Sequence, residues 1–339
     1  MSLVRIRLWN DPHDEEGNPY GGGTNDFDCF LRLAKRAKEE GMGVMLDFHY
    51  SDFWADPSHQ ELPKMWRGLT RFDDVKRALY EFTKKTLTAI RDNGIDLAAI
   101  QVGNEITHGM VWPFGEINRE YNPETGGGFK GHCLLLKEGV KACREIFPKA
   151  KIILHIEHSG SYDMQEGYWD YVLEQGVDFD VMGESYYPYW HGNFGRFKDC
   201  ISRLIQKYGK EVWLVEFGYQ YQEDKNPNFA EVTDAEEGDF IVGNVNGRIP
   251  YVQTKEGQAE YVALLLKVCK EIGVGAVCCW EPTWIYIPGN GWAKDAGQIY
   301  LGFEPAPAGN SWAYYAFFDE SGDANPVIDV FTQKYVDSL

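Results

Sequence analysis

Seven short apolar runs recur along the chain: residues 4–9 (VRIRLW), 43–49 (GVMLDFH), 97–103 (LAAIQVG), 151–156 (KIILHI), 179–183 (FDVMG), 212–216 (VWLVE) and 275–280 (GAVCCW). Between them, apolar positions repeat with helical spacing over residues 26–40, 73–92, 130–146, 163–175, 196–208 and 255–272. Asn25 or Thr24 can cap the first helix and Gly41 ends it; Thr254 precedes the last, and Gly273 closes it. Strands alternating with helices imply βαβ units on a parallel sheet. Repeated this often, they predict a TIM-type (β/α)8 barrel, read as a single domain over residues 1–339. Seven strands are visible, so either the first βα unit is missing from the chain or a segment read as loop supplies the eighth.

The connections are asymmetric. Those leaving the strands' C-terminal ends are long (50–72, 105–128, 217–253 and 281–310), and those leaving helices are short. In a βα-barrel the C-terminal face of the strands carries the working residues. No Gly-x-Gly-x-x-Gly follows the first strand, and YGGGTND (20–26) reads as a flexible loop rather than a phosphate cradle.

Composition narrows the partners. The 339 residues are 44% hydrophobic and 15% aromatic, enough to bury a large core. The net charge of −19 argues against nucleic acid and anionic membrane, and leaves a neutral ligand open. No apolar run approaches the roughly 20 residues of a membrane span. The N-terminal MSLVRIRLWN is not a signal peptide, because Arg5 and Arg7 interrupt any apolar stretch. Seven cysteines at irregular spacing make no disulfide framework. They read mostly as small buried hydrophobes, with Cys278 and Cys279 on opposite faces of one strand.

Two apolar strands end in a glutamate. Glu105 closes the third visible strand and Glu216 the sixth; one restored N-terminal strand makes them the fourth and seventh. Alone, each reads as a solvated strand end. Across a barrel mouth the two can form the pair that glycoside hydrolysis needs, one protonated acid and one ionised carboxylate. Arg5 and Arg7 share one face of the first strand. Arg7, nearer its C-terminal end, is the candidate to hold Glu216 ionised; a helix-facing salt bridge is the alternative. Asp47 and His49 share a face of the second strand, either binding sugar hydroxyls or buttressing the carboxylates; His49 reads equally as a satisfied core histidine. Trp54, Trp112, Trp190, Trp280, Trp284 and Trp292 lie on strand ends or their loops, where indoles can stack on sugar C–H faces or else pack a core. Trp280 is the candidate floor beneath the reacting sugar, and Trp169 and Trp213 read as core.

These residues sit in longer segments: VRIRLWNDP (4–12), PYGGGTND (19–26), LDFHYSDFWADP (46–57), QVGNEITHG (101–109), SYYPYWHG (185–192), VEFGY (215–219) and WEPTWI (280–285). Spread in order over nearly the whole chain, they resemble the arabinogalactan endo-β-1,4-galactanases of glycoside hydrolase family 53. The resemblance implies a retaining (β/α)8 glycosidase acting on galactan side chains of pectin. It makes Glu105, after Asn104, the acid/base and Glu216 the nucleophile. It also implies a polysaccharide substrate, no cofactor, a monomer and secretion, although no leader is visible. A retaining pair sits about 5–5.5 Å apart, too close for an intervening water, and should titrate as a coupled unit. Asn104 can then bond a sugar hydroxyl beside the reacting carbon, and Tyr187 can donate to the nucleophile's second oxygen.

The chain also departs from that pattern. It lacks the strand and helix that precede VRIRLW in the family. Glu184 stands where an aliphatic residue is usual, and HIEHSG (155–160) differs on the neighbouring strand. Glu157 and Glu184 would add polar contacts near the substrate or form structural salt bridges. Several members bind calcium after the seventh strand; the equivalent QEDKNPNFAEVTDAEEGDF (222–240) is acidic but lacks regular ligand spacing, so no metal ligand is assigned and calcium stays the alternative. The alternatives are another β-glycan hydrolase acting on xylan, mannan or glucan, a degenerate glycan-binding relative, or a metal-dependent hydrolase built on His155, Glu157 and His158.

Overall fold

A computed structural model describes residues 1–21, 25–222, 253–289, 291–307, 310 and 312–339. Its main sheet has seven strands in chain order: β1 (Leu3–Leu8), β2 (Gly43–Phe48), β3 (Ala99–Val102), β4 (Lys151–Ile156), β5 (Val181–Tyr186), β6 (Glu211–Phe217) and β7 (Val277–Cys279). The intervening helices are α1 (Phe27–Glu39), α2 (Phe72–Asp92), α3 (Gly128–Ile146), α4 (Tyr162–Glu174), α5 (Phe194–Tyr208) and α6 (Lys255–Ile272). Among the described residues the only other sheet is a two-stranded ribbon, Gly109–Met110 against Gly115–Glu116. No described loop therefore supplies an eighth strand.

Contacts divide the chain into two compact units. The first comprises Ser2–Glu157 and Glu166–Gly183. Here β1 to β4 pair in parallel, and the register sets Arg7 beside Asp47, Asp47 beside Gln101, and Gln101 beside Ile153. One face of these strands is therefore polar near its C-terminal end. The other, with Ile6, Leu46, Ile100 and Ile152, is buried. Packing is close there: a Cβ on Gly139 of α3 would lie 2.8 Å from Val102 Cγ1. A buried aliphatic side chain of this kind contributes about 1.5–3 kcal/mol.

The second unit comprises His158–Gln165 and Glu184–Leu339 with Met1. β6 and β7 pair in parallel, with an irregularity in register between Leu214 and Phe217. Helix α5 starts where Asn193 accepts from Arg196 N and ends on left-handed Gly209. Helix α6 is capped by Thr254 and closed by Gly273, as expected. Its Tyr261 stacks on Tyr219, just beyond β6, with ring centroids 4.2 Å apart.

Candidate active site

In the first unit the polar face converges on the end of β3. Arg5 donates from Nε to Gln101 Oε1 at 3.0 Å and from Nη2 to Asn104 Oδ1 at 2.7 Å. The same Nη2 lies 2.9 Å from Asp47 Oδ2. Gln101 donates to Asp47 Oδ1 at 2.6 Å and to Gly103 O at 2.9 Å. Burial pushes the Asp47 carboxyl up, but the charge of Arg5 and the contact with His49 outweigh it, so Asp47 stays below the ordinary carboxylate value. The sequence reading gave Arg5 no task; it ties three strand ends together.

The same network orients two histidines. His49 Nδ1 accepts from Trp9 Nε1 at 3.3 Å and from Ala55 N at 3.0 Å. Its proton therefore sits on Nε2, facing Asp47 Oδ2 at 3.2 Å. Asn104 Nδ2 donates to Ala55 O at 2.8 Å, which fixes the amide with Oδ1 as acceptor. His155 Nδ1 lies 2.9 Å from that Oδ1. Gln101 Nε2, at 3.2 Å, and Glu105 N, at 3.4 Å, approach the same Nδ1.

Glu105 follows in the left-handed region, at φ 47 and ψ 56. That conformation is costly for a residue with a Cβ. It turns the chain out of β3 into a 3-10 turn, Ile106–His108. Gly103 before it has φ 85, and a Cβ there would meet Ile106 Cγ2 at 2.6 Å. Its missing side chain makes room for a neighbouring residue of the same turn. Gln60 Nε2 secures the turn from outside, donating to Asn104 O at 2.8 Å.

In the second unit the end of β6 carries Glu216, only 5% exposed. It lies within the register irregularity, a device that re-aims a strand's side chains. The Tyr187 hydroxyl donates to Glu216 Oε2 at 3.2 Å. Tyr187 is held in turn by its own backbone N–H, which donates to His191 Nδ1 at 3.0 Å. Burial and the neighbouring His158 push His191 down to about 3, so it stays neutral and keeps that acceptor.

The expected residues fall into two groups. Arg7, Asp47, His49, Trp54, Asn104, Glu105 and Trp112 belong to the first unit; Tyr187, Trp190, Glu216, Trp280, Trp284 and Trp292 belong to the second. The Arg7 guanidinium lies 4.3 Å from the centroid of the Trp54 ring. Trp112 donates from Nε1 to His108 O at 3.1 Å. In the second unit Trp280 lies 5.9 Å from Trp284 and 4.6 Å from Trp312, and Trp312 lies 5.9 Å from Trp190, centroid to centroid. Trp190 is 52% exposed, so it offers an indole to solvent. Trp292 packs elsewhere, edge-on to Phe303. Trp169 is fully buried, while Trp213 is half-buried and donates to Glu211.

Two expectations need correction. Glu184 shares the side of β5 that carries Tyr186, whose ring packs on Phe194 and Phe197 of α5. It accepts from Gln165 of α4 at 2.5 Å, and its charge adds to the burial that raises the Cys200 thiol of α5. It therefore faces helices, with the Gln165 amide among its partners. His155, Glu157 and His158 do not form a metal site: His155 Nδ1 is committed to Asn104, and Glu157 accepts from Thr107 at 2.6 Å. Among the described residues no group of three or more His, Cys, Asp or Glu could hold a metal ion. The stretch considered for calcium lies, beyond its first residue, outside the described residues.

Sequence reasoning also passed over Gln60, Gln101, His155 and Trp312. Gln101 and His155 could have been found from strand parity, since they share the face of Asp47 once the register is known. Gln60 and Trp312 lie in loops that carry no periodic signal.

A family model for glycosyl hydrolase family 53 matches residues 1–331. The chain belongs to glycosyl hydrolase family 53. It is 33% identical to the endo-β-1,4-galactanase of Bacillus subtilis (strain 168), with 100% of this chain and 77% of that protein covered. It is 29% identical to the arabinogalactan endo-β-1,4-galactanase of Humicola insolens, covering 98% of this chain and 87% of that one. The solved family 53 catalytic domain of Ignisphaera aggregans superposes with a TM-score of 0.84 at 32% identity, covering 99% of this chain and 85% of that domain. The family 53 chain is thus a glycoside hydrolase, and its fold class is the TIM-type (β/α)-barrel.

Proposed function

We propose that this family 53 member is a retaining endo-β-1,4-galactanase acting on galactan side chains of pectin. Glu216 attacks the anomeric carbon while Glu105 protonates the departing glycosidic oxygen. Glu105 then takes a proton from the water that releases the sugar. The observation that carries the reading is the contrast between the two strand-end carboxyls. Glu216 is buried and accepts the Tyr187 hydroxyl, which suits an aimed nucleophile. Glu105 rides on a strained, half-exposed turn directly after Asn104, which suits a group that must reach a leaving oxygen.

The remaining groups take roles within that reading. Asn104 has its oxygen engaged by Arg5 and His155 and one amide hydrogen on Ala55 O, so its other hydrogen donates to the sugar oxygen beside the reacting carbon. Such a bond tightens as charge develops in the transition state. Arg7, whose guanidinium stacks on Trp54, is the cation assigned to support Glu216 as the nucleophile. Asp47 and His49 buttress Asn104 through Arg5, Gln101 and Ala55. Trp54, Trp112, Trp190, Trp280 and Trp284 offer stacking surfaces along the glycan, with Trp280 as the floor.

The deciding experiment incubates the protein with galactan, xylan, mannan and β-glucan. It follows product lengths by chromatography and the configuration of the new reducing end by proton NMR. Galactan oligomers released with retained configuration are expected. An inverted product would overturn the close-carboxylate mechanism, and no reducing sugar from galactan would overturn the substrate. Glu216→Gln should abolish turnover while galactan binding, read by calorimetry, persists.

A further inference from the structure

The end of strand β4 and the residue that follows it grip the Glu105 turn from two sides. Two residues apart, His155 and Glu157 reach the same short segment of chain. His155 Nδ1 lies 2.9 Å from Asn104 Oδ1, immediately before Glu105. Glu157 Oε2 accepts from Thr107 Oγ1 at 2.6 Å, two residues after it. Between these anchors Glu105 occupies its left-handed conformation, which persists only where the surroundings over-determine it. Thr107 lies in the 3-10 turn that leaves Glu105, so holding its side chain limits how that turn can rotate.

Glu157 is an unusual way to hold a threonine. It is 5% exposed, and burial, only partly offset by the Thr107 hydroxyl, pushes its carboxyl up to about 7. A buried carboxyl is costly, and an apolar side chain would fill the same space at less cost. The reaction described above gives Glu157 no step.

We propose that Glu157 and Thr107 form a positioning tether that fixes the turn carrying Glu105, and so sets the direction in which its carboxyl delivers a proton. This rests on the reading of Glu105 as the acid/base. A tether of this kind acts on proton delivery to the leaving oxygen and leaves sugar binding alone.

The test uses the intact protein with galactan and a series of aryl β-galactobiosides whose phenols differ in acidity. Thr107→Val and Glu157→Ala remove the bond from opposite ends, so misfolding of one leaves the other to decide. Circular dichroism first establishes which variants are folded. On galactan, kcat should fall roughly 10- to 100-fold, the scale of a small misplacement, with KM nearly unchanged. On a dinitrophenyl galactobioside, whose leaving group needs no proton, kcat/KM should stay within about twofold of wild type. The plot of kcat/KM against phenol pKa should therefore steepen. Thr107→Ser and Glu157→Gln keep a donor and an acceptor and should track wild type. A loss of equal size across all leaving groups, a rise in KM at constant kcat, or no loss would overturn the tether. Glu105→Ala in the same series separates the two ideas. If it too fails to steepen the plot, the acid/base assignment has failed. If it steepens the plot while the tether variants do not, only the tether has.

Discussion

Arg5 shows how much one buried side chain can organise. Its guanidinium bonds Asp47, Gln101 and Asn104, with Arg5 10% and Asp47 1% exposed at the side chain. Removing one partner of such a pair strands the other charge, at a cost of about 3–5 kcal/mol. Arg5→Met should lower the urea midpoint accordingly, and a loss below about 1 kcal/mol would mean that Asp47 is solvated on its own. Glu157 poses the opposite case. Its carboxyl rises from 4.5 to about 7 in the folded chain. Between those values the native state binds more protons than the unfolded chain, so stability falls as pH rises through the window and is level above it. At 1.36 kcal/mol per unit the loss is roughly 3 kcal/mol. Glu157→Gln cannot ionise, so urea titrations from pH 4 to 8 should show the variant gaining on wild type by up to that amount. Parallel curves would contradict the raised value.

At the scale of elements, the helices were legible because each is amphipathic and bounded by its own chemistry. Thr254 and Gly273 cap α6 as expected. The first helix starts one residue later than Asn25 allows, because Asp26 supplies the cap by accepting from Cys29 N at 2.8 Å. Adjacent Asn and Asp are both good caps, and sequence alone cannot choose between them. The strands were legible as runs, but their faces were not. All six residues of β5 are buried, so no alternation marks which side Glu184 takes. Likewise the parity of Arg5 and Arg7 was readable, whereas their separate partners depend on strands distant in sequence. The turn after β3 carries the sharpest constraint of this kind. Gly103→Ala would place a Cβ 2.6 Å from Ile106 Cγ2 at φ 85. It should destabilise the chain by at least about 1–2 kcal/mol and lower kcat on galactan by displacing Glu105. A fully active, fully stable alanine variant would show that the turn tolerates another geometry.

Over the whole molecule, the cysteines offer a probe of how the fold opens. All seven are free thiols. Cys133, Cys143, Cys200, Cys269 and Cys278 are buried. Burial pushes Cys133 up to about 12, and raises Cys143, Cys200 and Cys269 as well. Cys279 is half-buried as a residue, yet burial of its thiol, with Cys278 and Glu281 nearby, raises it well above the ordinary value. Only the thiolate attacks a disulfide reagent. That leaves Cys29, half-exposed at the start of α1. At pH 8 the native protein should therefore release about one equivalent of thionitrobenzoate quickly, against seven thiols in the unfolded chain. The other six, seven less one, should react only as the units holding them open. Cys29, Cys133 and Cys143 lie in the first unit, and Cys200, Cys269, Cys278 and Cys279 in the second. If the units unfold together, the slow thiols appear in one phase that tracks loss of circular dichroism in urea. Two phases, with Cys133 and Cys143 separated from the remaining four, would mean that the units open independently.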